Sequence, residues 1–487
     1  MNKDFLKPAI IFALAAVLTG LLAILLPAYS NDLFPIRKMS WFSALSKPTA
    51  ADTTHVLVPV VRRKQLALKP FLDKLKAMPT LTGKAPLIVA EEDSLSPISA
   101  PRQLRIAYYS DSIIEGDLIT GPLRYALQDR YGGHGVGMMP ITSIVSGFRQ
   151  TIRHTFSKNW ESISFTNPGT SGISLGITGY TFIPRPYYLE PRPIDEPLED
   201  SFFEADSLLN THALADSLTQ DDGMIRHYVD EDPWVEYRAV NIAGGADSFR
   251  QIRLFYSHAS DSSMVHVSQD GGDEINHTLS AGNSLKILDL SPEESVRRIK
   301  LTFAADDPIR IYGVSFDDEE GIYVDNYPLR GYSGMYFQRI YSYLLGQFNR
   351  ALSYDLIVLQ YGGNITHPDN TEYENYKVAM TRTIEHLQSA MPGVPILIAS
   401  MHDRAVKIGT EFKSSPDLPY LIAAQSEVAE ATGCAFWNVY EAMGGYNSMI
   451  GFVNQNPPLA GTDYTHFTRR GADRIAKLFL DFIKEES

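Results

Sequence analysis

Two short stretches far apart in the chain carry residue types that do nucleophilic chemistry together. The first is "LRIAYYSDSIIEGD", where an apolar run, Leu104–Tyr109, ends in Ser110-Asp111-Ser112. A serine at a strand-to-helix turn can be held exposed beside backbone N–H groups. Those groups can hold the oxyanion of an acyl-transfer intermediate. Serine is also a common turn or cap residue, so this stretch alone decides nothing. The second is "GTDYTHFTRRGADRIAKLF", which places Asp463 three residues before His466. A carboxylate can orient a histidine through one ring nitrogen while the other accepts a serine proton. The bland alternative is a turn cap beside a surface histidine.

Other stretches add candidates. "QYGGNITHP" puts Asn364 after two glycines at the end of an apolar run, where a carboxamide can donate to an oxyanion. Asn in a glycine-rich turn reads equally well as a left-handed turn residue. "RYGGHGVGMMP" carries Gly132, Gly133, Gly135 and Gly137, and glycine lets a backbone N–H approach a substrate closely. It lacks the Lys-Ser/Thr ending of a phosphate loop. His402, beside Asp403, follows another apolar run and is a weaker candidate base. Glu115 and Asp117 read as solvated turn carboxylates, and Trp234 and Tyr237 as core aromatics before sugar platforms. No His/Asp/Glu cluster has metal-ligand spacing, and the chemistry needs no cofactor.

The elements around these residues alternate. Leu104–Tyr109 is an apolar strand, and "TGPLRYALQDRYGG" is a helix with Pro122 in its first turn and Gly132 as its stop. The rhythm returns later in "DLIVLQYGGN", "VPILIAS" and "CAFWNVY", with helical patterns between them and a closing amphipathic helix in "RRGADRIAKLFLDFIKEE". Alternating strands and helices predict a three-layer α/β domain on a parallel sheet, with sites at the carboxyl ends of its strands. Between about 166 and 330 the runs are short and β-rich, as in "FRQIRLFYSH" and "RRIKLTFAA", which predicts an inserted β-sandwich. Within it, the acidic stretch 194–233 reads as an exposed loop.

Ser112, a glycine, Asn364, then Asp463-x-x-His466, in that order, resembles the SGNH (GDSL-type) hydrolase superfamily. The resemblance covers roughly residues 104–165 and 330–485. It implies a flavodoxin-like domain with Ser112 as nucleophile, His466 as base and Asp463 as its orienter. It implies an oxyanion hole from Ser112, Gly135 and Asn364. The glycine usual two positions before the nucleophile is Ser110 here. "AFWNVYEAMGGYNSM", "NQNPPLAGTDYTHFT" and "GIYVDNYPLRGYSG" resemble the exported peptidoglycan or polysaccharide O-acetylesterases of that superfamily, which carry an inserted β-sandwich. The activity this implies is a serine esterase removing O-acyl, foremost O-acetyl, groups from an envelope or extracellular polysaccharide. Two alternatives stand beside it. One is an O-acyltransferase working with a membrane acyl donor protein, and the other a non-catalytic carbohydrate-binding protein.

Composition sets the outer bounds. The chain has 487 residues, 44% hydrophobic and 21% charged, enough for two or three globular domains. A net charge of -14 disfavours nucleic acid, which needs a basic surface. A single cysteine, Cys434, excludes disulfides within the chain. Pro8 to Asn31 holds no charge, and its apolar centre "AIIFALAAVLTGLLAILL" suits a bilayer-spanning signal anchor. Cleavage after Ala28-Tyr29-Ser30 is the alternative. Lys3 and Lys7 on the near side predict an exported bulk, anchored at the periplasmic face or soluble in the periplasm if cleaved. The expected organisation is 1–30 anchor, 31–103 linker, 104–165 and 331–487 catalytic domain, and 166–330 sandwich.

Overall fold

The apolar run at Leu104 is buried on both faces because it lies near the middle of a parallel sheet. The computed structural model describes residues 66–88, 102–165, 172–191 and 224–487. The expected anchor, most of the linker and most of the acidic loop lie outside these residues. The parallel sheet has five strands: β1 (Gln103–Ser110), β2 (Gly321–Pro328), β3 (Leu356–Gln360), β4 (Ile396–Ala399) and β5 (Ala435–Trp437). Their order is β2-β1-β3-β4-β5. Continuous apolar sequence is what such strands need, since helices cover both faces.

Alternate residues of β1 enter different cores. Ala107 and Tyr109 face one with Phe348, Ile384 and Leu421, on helices α2 (Ser342–Leu352), α3 (Glu374–Ala390) and α4 (Leu418–Thr432). Leu104, Ile106 and Tyr108 face another with Leu123, Ile475 and Phe479, on α1 (Thr120–Tyr131) and α5 (Arg469–Glu485). These are the expected three layers. Each fully buried side chain of this size stabilises the fold by roughly 1.5–3 kcal/mol. The closing helix buries Ile475, Ala476, Phe479 and Ile483 at helical spacing, as its sequence pattern predicts.

The inserted β-rich module is a pair of antiparallel sheets enclosing a third core, which includes Val235, Leu254, Ile299 and Val314. It begins earlier than residue 166. Gly137–Met139, Arg153–Phe156 and Trp160–Ser164 already belong to its sheets. These strands are short and half polar, so their alternation is faint beside that of β1. The two modules are tied by buried charge. Arg105 on β1 donates to Asp325 on β2 at 2.7 Å and to Asp317 of the sandwich at 3.0 Å. Arg253 of the sandwich donates to Asp317 at 2.7 Å.

Candidate active site

β1 stops where Asp111 takes over the backbone. Its Oδ1 accepts from the Ile113 N–H at 3.2 Å and opens a short 3-10 segment, Ser112–Asp117. Ser112 therefore stands at the carboxyl end of β1. Ser110, in the place of a glycine, is fully buried and its hydroxyl donates to the Gln360 carbonyl on β3. The turn does not need a glycine there, because this serine ties two strands together. A glycine is needed at Gly116, where φ is +64° and a Cβ would sit 2.3 Å from the Phe148 ring.

The histidine arrives from the other end of the chain. Asp463 Oδ1 accepts from the backbone N–H groups of Thr465 and His466, both at 3.1 Å, which closes a tight turn with Tyr464 at φ +54°. Thr468 then caps α5 through the Gly471 N–H at 3.3 Å. In this turn Asp463 Oδ2 lies 2.7 Å from His466 Nδ1, and His466 Nε2 lies 2.9 Å from Ser112 Oγ. Burial alone would raise the Asp463 carboxyl. The hydrogen bonds from the His466 ring and the two amides outweigh it, and the carboxyl sits below its ordinary value. Serine, imidazole and carboxylate thus form one hydrogen-bonded line on half-exposed turns.

Asn364 joins this cluster. Its Nδ2 donates at 3.0 Å both to Asp111 Oδ2 and to the Tyr332 carbonyl. Burial raises the Asp111 carboxyl to about 6, against the lowering effects of the Ile113 amide and of His466. His402 does not join the line of Ser112, His466 and Asp463. It is buried behind the Asp463–His466 turn, its Nε2 is 2.9 Å from the Thr465 carbonyl, and its ring is 4.8 Å from that of Phe467. Burial depresses it to about 4, so the ring is neutral near pH 7 and its Nε2–H donates to the carbonyl.

The structure does not bring Gly135 to the serine. With φ at +110°, it packs so tightly that a Cβ would lie 2.3 Å from the Phe316 carbonyl oxygen. The neighbouring Gly133 packs on Gly321 and Ile322, at the amino end of β2. Gln103 pairs with Gly321 and Ser110 with Pro328, so that end is a strand length, roughly 20 Å, from Ser112. The glycine cluster serves a turn between α1 and the sandwich. At the correct end the structure places Gly331, at φ +70°, in the loop leaving β2 and immediately before Tyr332. The signal was present in "YPLRGYSG", a glycine just past a strand end.

Glu115 and Asp117 are also unlike their sequence reading, since both are buried. Glu115 accepts from Arg330 Nε at 2.8 Å and from its Nη2. Asp117 accepts from Arg124 Nη1 at 3.2 Å, Arg149 Nη2 at 3.1 Å and the Thr151 hydroxyl at 2.7 Å. Burial pushes its carboxyl up, but the two guanidinium groups outweigh this and hold it well below the carboxylate range. Tyr237 is buried in the sandwich and stacks on His154 at 4.9 Å, as a core aromatic.

No family model and no curated protein matches the chain. Among solved structures, a peptidoglycan O-acetylesterase superposes with a TM-score of 0.56 at 18% identity, over 79% of this chain and 91% of that chain. The chain therefore shares its fold with that O-acetylesterase over most of both chains. A family two carbohydrate esterase from Clostridium thermocellum covers 52% of this chain and 92% of that one at 11% identity, with a TM-score of 0.24. A lipase/acylhydrolase from Enterococcus faecalis covers 34% and 77% at 16% identity, also at 0.24.

Proposed function

We propose that this chain is a serine esterase that removes O-acyl, foremost O-acetyl, groups from a cell-envelope polysaccharide or peptidoglycan. One observation carries the reading: Ser112 Oγ, His466 and Asp463 stand in line at 2.9 and 2.7 Å at the carboxyl end of a parallel sheet. The fold shared with a peptidoglycan O-acetylesterase supports the substrate class. The charge-free segment Pro8–Asn31 supports an exported protein held at the periplasmic face.

His466 Nε2 takes the proton of Ser112 Oγ as Oγ bonds to the acyl carbon. Asp463 fixes the ring through Nδ1 and stabilises the imidazolium that forms. The carbonyl oxygen becomes an oxyanion facing the backbone N–H groups of Ser112 and Gly331 and the Asn364 amide. Both Asn364 N–H groups already have acceptors, so the oxyanion takes the place of one of them. His466 then protonates the departing sugar oxygen as its bond to the acyl carbon breaks. Water, deprotonated by the same ring, attacks the acyl carbon; the bond to Ser112 Oγ breaks, Oγ takes the proton back from His466 Nε2, and the acid leaves.

A fluorophosphonate probe tests the nucleophile. Mass spectrometry is expected to find one adduct on Ser112, lost in His466→Ala. Labelling elsewhere, or undiminished labelling in His466→Ala, contradicts the assignment.

A further inference from the structure

A cavity of about 380 Å³ lies beside the 3-10 segment Ser112–Asp117, between the α/β domain and the sandwich. It falls within the size range of small-molecule sites, about 300–1,000 Å³. Its walls include Glu115, Gly116 and Arg330 from the catalytic side and Thr142, Ser146 and Arg149 from the sandwich side. Glu115 is three residues past Ser112 on the same 3-10 segment. The loop that carries Thr142, Ser146 and Arg149 touches the segments that bear Ser112 and His466: Phe148 lies against Gly116, and Arg469, three residues past His466, donates to the Phe148 carbonyl at 2.9 Å.

Arg149 is the unusual member. Its side chain is only 7% exposed. Nε donates to the Thr151 hydroxyl at 2.9 Å and Nη2 to Asp117 at 3.1 Å. Nη1 has no hydrogen-bond partner among the described residues, although the residue lines the cavity. Asp117 cannot neutralise it alone, because the same carboxylate is paired with Arg124. Two guanidiniums, Arg124 and Arg149, face the one carboxylate of Asp117, which leaves one positive charge over, whereas the neighbouring group of Arg105 and Arg253 with Asp317 and Asp325 balances. A buried cation without full compensation is costly, and an anion in the cavity relieves it.

The geometry points to a subsite for a single carboxylate on an acidic sugar of the glycan, held by Arg149 Nη1 next to the unit whose ester meets Ser112. This rests on the glycan-ester reading and names the substrate class within it. One surplus charge suits a monoanion better than a phosphate, which carries about -1.5 to -2 near neutrality. The hydroxyl groups of Thr142 and Ser146 and the Tyr180 ring on the cavity wall suit a pyranose ring. The net charge of -14 opposes polyanions at a distance. Inside the cavity the local surplus decides, because exposed charges beyond about 10 Å are screened at ordinary salt.

The test is binding, read by calorimetry on Ser112→Ala so that no turnover intervenes. The probes are glucuronate, galacturonate and N-acetylmuramate, each beside its neutral counterpart: glucose, galactose and N-acetylglucosamine. At least one acid is expected to bind tenfold or more tightly than its neutral partner. Arg149→Gln is expected to abolish that preference and Arg149→Lys to keep part of it. Since Arg149 also holds Asp117, Ser146→Trp, which fills the cavity from its rim, serves as an independent variant with the same expected loss. Acids that bind no better than neutral sugars, or a preference that survives in Arg149→Gln or Ser146→Trp, overturn the subsite. Acetate release by the wild-type protein is read separately. Release with no acid preference strikes only the subsite, and an acid preference without release strikes only the esterase.

Discussion

His402→Phe separates the buried histidine behind the catalytic turn from the histidine in it. Phenylalanine keeps the ring volume and the contact with Phe467, and removes the N–H that reaches the Thr465 carbonyl. Two consequences follow. First, burial holds His402 at about 4, below its ordinary 6.5, so folding favours the neutral ring. Its contribution to stability is present in full above pH 6.5 and is lost as pH falls through about 4. Linkage with these two values gives a loss of about 2 kcal/mol between about pH 7.5 and about pH 5. Guanidinium unfolding followed by tryptophan fluorescence at both pH values measures it. His402→Phe is expected to flatten that share of the slope. Second, the Thr465 carbonyl loses its donor next to His466, which costs about 1 kcal/mol and lowers kcat roughly fivefold. A variant with the wild-type pH slope, or with unchanged kcat, would refute the reasoning.

Further outcomes are expected elsewhere in the site. Asp463→Asn leaves His466 without its carboxylate and lowers kcat/KM roughly 10²-fold, less than the ~10⁴ typical of a buried partner because Asp463 is half exposed; wild-type turnover would contradict this. Asp111 is raised to about 6 from an ordinary 3.8, so the stability it contributes is full below 3.8 and is lost as pH rises through about 6. Asp111→Asn is therefore expected to gain about 2 kcal/mol of stability relative to wild type between about pH 4.5 and about pH 7.5, in urea melts at both. Gly116→Ala places a Cβ 2.3 Å from Phe148 at a φ of +64°, and is expected to cost about 1–3 kcal/mol and raise KM for a glycan ester more than for an aryl acetate.

The residues of the line Ser112–His466–Asp463 were legible in the sequence because each belongs to a local pattern. An apolar run ends at Ser110, and Asp-x-x-His precedes an amphipathic helix. The three-layer domain was legible for the same reason, through the periods of its strands and helices. Gly135 was misplaced because a glycine motif reports only a need for positive φ, and here a turn against Phe316 meets it. Glu115 and Asp117 were misread because a partner of each is distant along the chain: Arg330 is 215 residues from Glu115, and Arg149, from the sandwich side, is 32 from Asp117, which it shares with the nearer Arg124. A charged side chain looks solvated in sequence when only the fold brings its partner to it. The early start of the sandwich was hidden by strands such as Arg153–Phe156, whose exposed and buried positions differ little in residue type. Nothing in "GFRQT" marks Arg149 as buried, since the cavity it faces forms only between the two modules.

The most direct test of the account is acetate release by the protein and by Ser112→Ala, from an aryl acetate and from an O-acetylated glycan. The account predicts release of acetate from both substrates by the wild type, and a loss of roughly 10⁶-fold in kcat on removal of the hydroxyl. Folded wild-type protein that releases no acetate from either substrate, or a Ser112→Ala variant that releases it at the wild-type rate, would contradict it.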